Sequence, residues 1–258
     1  MIGVRKLSNR LEVIGVPGIP NVNYGDHLAS MIQAAASGNC IDIQENDIIV
    51  VTQKIVSKSE GATVDLNTVI PSPFAMQIAV KYDKDPRHVE VVLNESVRIV
   101  RMGHGVIISE TRHGFICANA GVDASNISNA DILCLLPKDP DESARRIRTD
   151  LIKQLGFNVS VIITDTFGRP WSHGTTDVAI GASGIEPLKD YRGLADPYGY
   201  PIRVSISAVV DEIASAAELV AGKVDMIPVV IVRGYEYKIS ESSSISQLIR
   251  EPESDLFR

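Results

Sequence analysis

Short apolar runs constrain this chain more than any other feature. Asp47-Ile48-Ile49-Val50-Val51-Thr52, Val159 to Ile163, and Ile227 to Val232 (closed by Arg233-Gly234) read as strands by composition and length. Helical patterns fall between them. Asp26 to Ala36 places Leu28, Ile32 and Ala35 on one face, Phe74 to Tyr82 suits a second helix, and Asp211 to Ala221 is Ala-rich. From Val89 to Val122 the pattern is strand-like and broken by glycines: Val91-Val92, Val97 to Val100, Val106 to Ile108, Phe115 to Cys117. That run predicts antiparallel hairpins, and Val204 to Val210 predicts one more strand. The alternation is too uneven for a barrel or a doubly wound sheet. It predicts a mixed α+β protein with largely antiparallel sheets and packed helices. At 258 residues, without an internal repeat or a low-complexity linker, residues 1–258 read as one unit, at most two interleaved lobes.

The clearest helix starts near Asp139. Asp139 can cap it, Pro140 fits the first turn and Glu142 follows three residues after the cap. Ala144, Ile147, Leu151 and Leu155 then recur at helical spacing, and Gly156 is a stop. Arg145, Arg146 and Arg148 read as a solvated helix face. Val16 to Asn21 is a Pro/Gly-rich turn with no room for a helix, and the polar tail from Ser240 to Arg258 is expected on the surface.

Composition removes several function classes. A net charge of −7 gives a nucleic-acid partner no global support, and 5% aromatic residues leave few stacking platforms. Cys40, Cys117 and Cys134 are far apart and odd in number, so neither a zinc knuckle nor a disulfide framework is indicated, and each is expected in or near an apolar core. The N-terminus is not followed by a signal-type run, and no stretch approaches the roughly 20 apolar residues of a membrane span. A cytoplasmic protein is the expectation.

Familiar nucleotide motifs are missing. Gly222-Lys223 lacks the upstream glycine of a phosphate loop, and Gly103-His104-Gly105 lacks the third glycine of a dinucleotide fingerprint. His104, His113 and His173 are not spaced as a metal site. Three segments stand out instead. Asn119-Ala120-Gly121-Val122-Asp123-Ala124-Ser125-Asn126 puts a carboxylate, a hydroxyl and an amide among small residues, where hard oxygen ligands suit magnesium or manganese. It also reads as a polar turn, with Asp123 or Ser125 capping. Ile162-Ile163-Thr164-Asp165-Thr166-Phe167-Gly168-Arg169-Pro170-Trp171 ends an apolar strand on an Asp suited to a metal that bridges phosphates. Thr166 can add an oxygen ligand and Arg169 positive charge. The bland alternative is a strand-to-turn junction with Trp171 as a core anchor. Thr52-Gln53-Lys54-Ile55-Val56-Ser57-Lys58 offers two lysines after a strand, either phosphate contacts or solvated ends. Asp211 and Glu212 complement a helix dipole, which favours a structural role.

Taken together, these segments resemble the coenzyme F420-0:L-glutamate ligase family. The match rests on Gly18-Ile19-Pro20, Ser57-Lys58 with Glu60-Gly61, the NAGVDASN segment at 119–126, Ile162 to Thr166 with Gly168-Arg169, Ala179-Ile180-Gly181, Asp211 to Ala214, and Val232-Arg233-Gly234. The resemblance implies a gamma-glutamyl ligase-like fold in an intertwined homodimer. It implies GTP as co-substrate, a divalent metal (manganese or magnesium) and potassium, with L-glutamate joined to the deazaflavin F420-0. By this resemblance Asp123, Asp165 and Thr166 match metal ligands. Ile19, Pro20, Asn21, Val22, Gln53, Lys54, Lys58 and Asn126 match GTP-binding positions, with Ala221, Gly222 and Lys223 as a further nucleotide-binding stretch. Lys58 and Arg169 are the expected catalytic cations. Lys223 stands where archaeal members carry an acidic metal position, so Glu218 or Asp225 can substitute, or Lys223 itself can replace metal charge at a phosphate. Gln53-Lys54 also departs from the small hydroxyl residues of archaeal members. A pterin or folate-like acceptor, or a non-catalytic nucleotide or metal sensor on the same fold, are the alternative functions.

Overall fold

The computed structural model describes residues 10–124 and 131–256. In chain order, the first half gives β1 (Glu12–Gly15), α1 (Leu28–Gly38), β2 (Ile48–Thr52), α2 (Gln53–Glu60) and β3 (Thr63–Asp65). Next come α3 (Pro73–Tyr82), α4 (Pro86–Asn94), β4 (Ser96–Gly103), β5 (Val106–Thr111), β6 (Ile116–Ala118) and β7 (Ile132–Cys134). The second half gives α5 (Pro140–Leu155), β8 (Ser160–Gly168), β9 (Thr175–Ser183), β10 (Leu188–Asp190), β11 (Ile206–Ala208), α6 (Val209–Ala221) and β12 (Val229–Arg233).

The three apolar runs become neighbours. The main sheet has the order β1-β12-β2-β8-β9, parallel only between β2 and β8 and antiparallel elsewhere. A β4-β5-β6 meander and the pairs β3-β7 and β10-β11 are also antiparallel. This is the mixed, largely antiparallel α+β architecture expected. β2 and β12 sit inside the sheet, which is why their side chains are buried on both faces and their sequences do not alternate. Two apolar cores result. One surrounds the main sheet with α1, α5 and α6; the other gathers Leu66, Ile78, Val89, Val92, Ile107 and Leu133 under α3, α4 and the meander.

Helix α5 starts and stops as its residues dictate. The Asp139 carboxylate accepts from the Glu142 N–H at 2.9 Å, Pro140 opens the first turn, and Gly156 closes the helix at φ 82°. A cap of this kind contributes about 1 kcal/mol. The N-terminus of α5 abuts β9 at Gly181, where a Cβ would lie 2.4 Å from the Pro140 carbonyl oxygen. Gly181→Ala should therefore force helix and strand apart and cost about 2 kcal/mol in chemical denaturation; an unchanged midpoint would contradict this packing.

β9 is the edge of the main sheet, and three carboxylates cover its free amides. Asp141 accepts from Ala182 N–H, Asp211 from Ala179 N–H at 2.9 Å each, and Glu218 from Asp177 N–H at 3.1 Å. The acids of α5 and α6 thus satisfy backbone donors that would otherwise invite another strand. Asp211 takes the structural role its position suggested.

Several expectations fail for local reasons. Val91-Val92 is helical, because Asp85 caps and Pro86 starts α4; capping overrides the β-branched composition. Only Ile206–Ala208 of the 204–210 strand forms, and Val209-Val210 already belong to α6. Trp171 is not a core anchor: it is 81% exposed. Arg148 is buried rather than solvated, whereas Arg145 and Arg146 are partly exposed and pair with Glu142 and Glu60.

Cys40 is exposed, against expectation, while Cys117 and Cys134 are buried. Burial pushes the Cys117 thiol up to about 12, with the Asp165 charge adding to the effect. Since the thiolate is the nucleophile, brief alkylation of the native protein should label Cys40 alone. Rapid mass-mapped labelling of Cys117 would contradict its burial.

Candidate active site

The C-terminal ends of β2 and β8 open into a cavity of about 560 Å³, within the range of small-molecule sites. Six segments line it: Ile19, Pro20, Asn21 and Val22 after β1; Thr52, Gln53, Lys54, Ile55 and Lys58 of β2 and α2; Ala118 and Gly121 to Asp123 after β6; Thr164, Asp165 and Thr166 of β8; Asp177 of β9; and Ala221, Gly222, Lys223 and Met226 to Pro228 after α6. The expected metal and nucleotide positions within the described residues therefore converge. Asn126, with Ser125, lies outside the described residues. Arg169 does not line the cavity; it is exposed on the turn between β8 and β9.

Each wall has a local cause. After β6, Asn119, Ala120 and Gly121 are all left-handed, at φ 52°, 53° and 70°. Such conformations are costly for residues with a Cβ and concentrate at functional sites. The turn is held by Asn119 Oδ1, which accepts from Ile107 N–H at 3.2 Å. A Cβ on Gly121 would also approach Leu136 at 2.8 Å. Immediately beyond, Asp123 is clamped to Cys134 by reciprocal backbone bonds of 3.0 and 2.8 Å. Its carboxylate is thereby fixed, and Oδ2 meets Lys54 Nζ at 2.8 Å.

α2 begins at the cavity with no side-chain cap on its first amides, so its N-terminal N–H groups face the space with partial positive charge. Gln53 lines the cavity, yet its own amide is spent elsewhere. It donates to Leu135 O at 2.6 Å and Ser57 Oγ at 2.5 Å and is 1% exposed. Its role is to anchor α2. Lys54 and Lys58 follow on the same helix.

On the opposite wall, β8 is bulged against β9 between Ile163 and Thr164, which re-aims the next residues. Desolvation by the surrounding protein raises the Asp165 carboxyl to about 7. The Thr166 N–H partly offsets this, and the charges of Asp123 and Asp177 raise it further. Asp177 was not singled out in the sequence. It sits 6% exposed, accepts from Thr166 Oγ1 at 2.6 Å, and pairs with Lys223 at 3.1 Å. Its only signal was register: Asp177 stands directly opposite Thr166 across the hairpin. Lys223 also meets Glu218 at 2.5 Å and Thr166 Oγ1 at 2.7 Å. Partial burial works against the Lys223 ammonium, but Glu218 and Asp177 more than compensate and hold its pKa above the usual lysine value.

The donor chemistry suits a hard divalent cation. Asp165 has no ion-pair partner among the described residues, while carboxylates and a hydroxyl surround it. Among the described residues no three His, Cys, Asp or Glu side chains form a ready-made cage.

Comparison with known proteins settles the kinship. The family model described as F420-0:Gamma-glutamyl ligase matches residues 18–234. This chain belongs to that family of ligases. The match runs from the loop after β1 to the end of β12, so every cavity wall lies within it. A coenzyme F420:L-glutamate ligase of Methanothermobacter thermautotrophicus is 44% identical over 96% of this chain and 99% of its own. A coenzyme F420:L-glutamate ligase of Methanopyrus kandleri is 44% identical over 96% and 98%, and one of Methanocaldococcus jannaschii 41% over 98% and 99%. Among the described residues of this family member, no helix is long and apolar enough to cross a membrane.

Proposed function

We propose that this protein is a GTP-dependent ligase that joins L-glutamate to the carboxylate of coenzyme F420-0. The observation that carries the reading is one cavity lined by an uncapped helix N-terminus, two lysines and a half-buried carboxylate that has no ion pair among the described residues. The names of the relatives supply the acceptor and the amino acid.

A carboxylate resists an amine because its leaving group would be oxide. Transfer of the γ-phosphoryl group from GTP to an acceptor carboxylate oxygen, with release of GDP, gives an acyl phosphate. The glutamate amine then attacks the acyl carbon, phosphate leaves, and the amine gives up a proton. In this scheme the α2 N-terminus, Lys54 and Lys58 bind phosphate oxygens by charge-assisted bonds. Asp123, Asp165 and Thr166 would hold a manganese or magnesium ion, with Asp177 fixing the Thr166 hydroxyl. Such an ion supplies positive charge against crowded phosphate and acyl oxygens. The loop from Ile19 to Val22 and the segment from Ala221 to Pro228 complete the lining of the cavity.

GTP should bind the manganese-loaded protein, and Lys58→Met should weaken that binding about tenfold or more by calorimetry, as expected for loss of a charge-assisted phosphate contact. Absence of GTP binding with manganese present would overturn the nucleotide assignment.

We propose in addition that the chain works as an intertwined homodimer. Leu194, Tyr198, Tyr200 and Val204, between β10 and β11, are 55–88% exposed and supply apolar surface for a partner. Light scattering at micromolar concentration should give the mass of two chains; a monomer would refute the proposal.

A further inference from the structure

Positive charge is distributed unevenly among the acids that line the cavity, Asp123, Asp165 and Asp177, and Glu218 behind them. Asp123 has Lys54 at 2.8 Å. Asp177 and Glu218 share Lys223, at 3.1 and 2.5 Å. Asp165 has no ion pair among the described residues, and the charge of Lys54 offsets only a small part of the penalty of its burial. The surroundings of the Lys223 ammonium are those of a bound cation. Three oxygens from three elements meet it: Thr166 Oγ1 of β8, Asp177 Oδ1 of β9 and Glu218 Oε1 of α6. The carboxylates are largely shielded from water, with side chains 9% and 19% exposed, so neither has solvent enough to dispense with a counter-charge. Gly222, at φ 59° just past the end of α6, turns the chain so that Lys223 folds back onto the helix it follows.

We infer that Lys223 is a tethered cation, filling with its ammonium the position between Thr166, Asp177 and Glu218, so that the cavity takes one divalent ion rather than two. The inference rests on the metal–nucleotide reading of the cavity given above. A protonated lysine donates three hydrogen bonds and ligates nothing. The three oxygens supply its three acceptors, so that position is closed to a second ion, and the ammonium repels one nearby. The tether also orders the ligand hydroxyl. Thr166 donates to Asp177 and accepts from Lys223, which leaves its remaining lone pair for the cavity. Lys223 is in this sense a positioning residue, and its charge is present at any salt composition.

The test counts ions without turnover. Manganese is titrated into the protein with and without a non-hydrolysable GTP analogue, and free manganese is read by electron paramagnetic resonance. The wild type should saturate at one ion per chain. Lys223→Gln, which removes the charge and exposes Asp177 and Glu218, should saturate at two, and Lys223→Arg should stay at one. Two ions in the wild type would overturn this inference and leave the metal–nucleotide reading intact. No bound manganese at all would overturn both. A single ion in Lys223→Gln would show that the ammonium is not what closes the second position. Should Lys223→Gln fail to fold, the wild-type count decides.

Discussion

Asp165→Asn should lower glutamate ligation at least about a hundredfold, the scale on which a group aimed at developing charge acts, while making the metal-free protein more stable. The two effects have one cause. Asp165 is surrounded by protein and by the carboxylates of Asp123 and Asp177, so its charge is costly until a cation arrives. In the chelated protein its carboxyl titrates near 7 when folded, against the ordinary 3.8 when unfolded. The folded state thus holds the extra proton between those values. Stability contributed at this position falls as pH rises through the window and levels above about 7. Asparagine carries no such penalty. The variant's melting temperature should exceed the wild type's above pH 7 and match it below about pH 4. Added manganese should raise the wild type's melting temperature and leave the variant's nearly unchanged. A variant less stable than the wild type at pH 8 under chelation would contradict this electrostatic account.

Arg148→Met should be the most damaging change outside the cavity, costing about 2–4 kcal/mol in chemical denaturation, mainly through the acceptors it leaves unsatisfied. Arg148 is 8% exposed and lies on the face of α5 that meets the chain before β8. Its guanidinium donates to Val159 O at 2.9 Å, to Asn158 Oδ1 at 2.7 Å and to both oxygens of Glu241 at 2.7 and 2.8 Å. Methionine keeps most of the volume and none of the donors. A buried carbonyl and a part-buried amide oxygen then lose their partners, and the segment bearing Glu241 loses one of its ties to α5. The loss should appear in stability with the metal and nucleotide affinities of the folded fraction unchanged. A midpoint within 1 kcal/mol of the wild type, on the scale of an exposed ion pair, would show that the network contributes little.

Arg148 also marks a limit of reading by periodicity. Helical spacing separated Ile147 and Leu151 from Arg145 and Arg146, but charge alone placed Arg148 with its neighbours in solvent. Its partners, Asn158 and Glu241, lie across the chain and carry no local signal. The same limit applies to Asp177, whose place in the cavity depends on the β8–β9 register, and to Arg169, which sits three residues beyond Thr166 yet follows the hairpin away from the cavity. What was legible were features with a local physical cause. Unbroken β-branched runs gave the inner strands β2, β8 and β12, Asp139-Pro140 gave the start of α5, and small residues around Asp123 gave a turn that only such residues tolerate. Val91-Val92 misled for the complementary reason: a cap six residues before Val91 outweighed composition. The Lys223 cluster was visible only as a cation in an unexpected place; its three oxygen partners come from β8, β9 and α6 and needed the fold.

The measurement that bears most directly on the central claim is the mass of the acceptor after incubation. Purified protein, coenzyme F420-0, L-glutamate, GTP and manganese should yield a product heavier by one or more glutamyl residues, with GDP and phosphate released in step. Omission of GTP or of manganese, or use of Asp165→Asn, should leave the acceptor mass unchanged. An unaltered acceptor in the complete mixture, from protein that demonstrably binds GTP and manganese, would contradict the assignment.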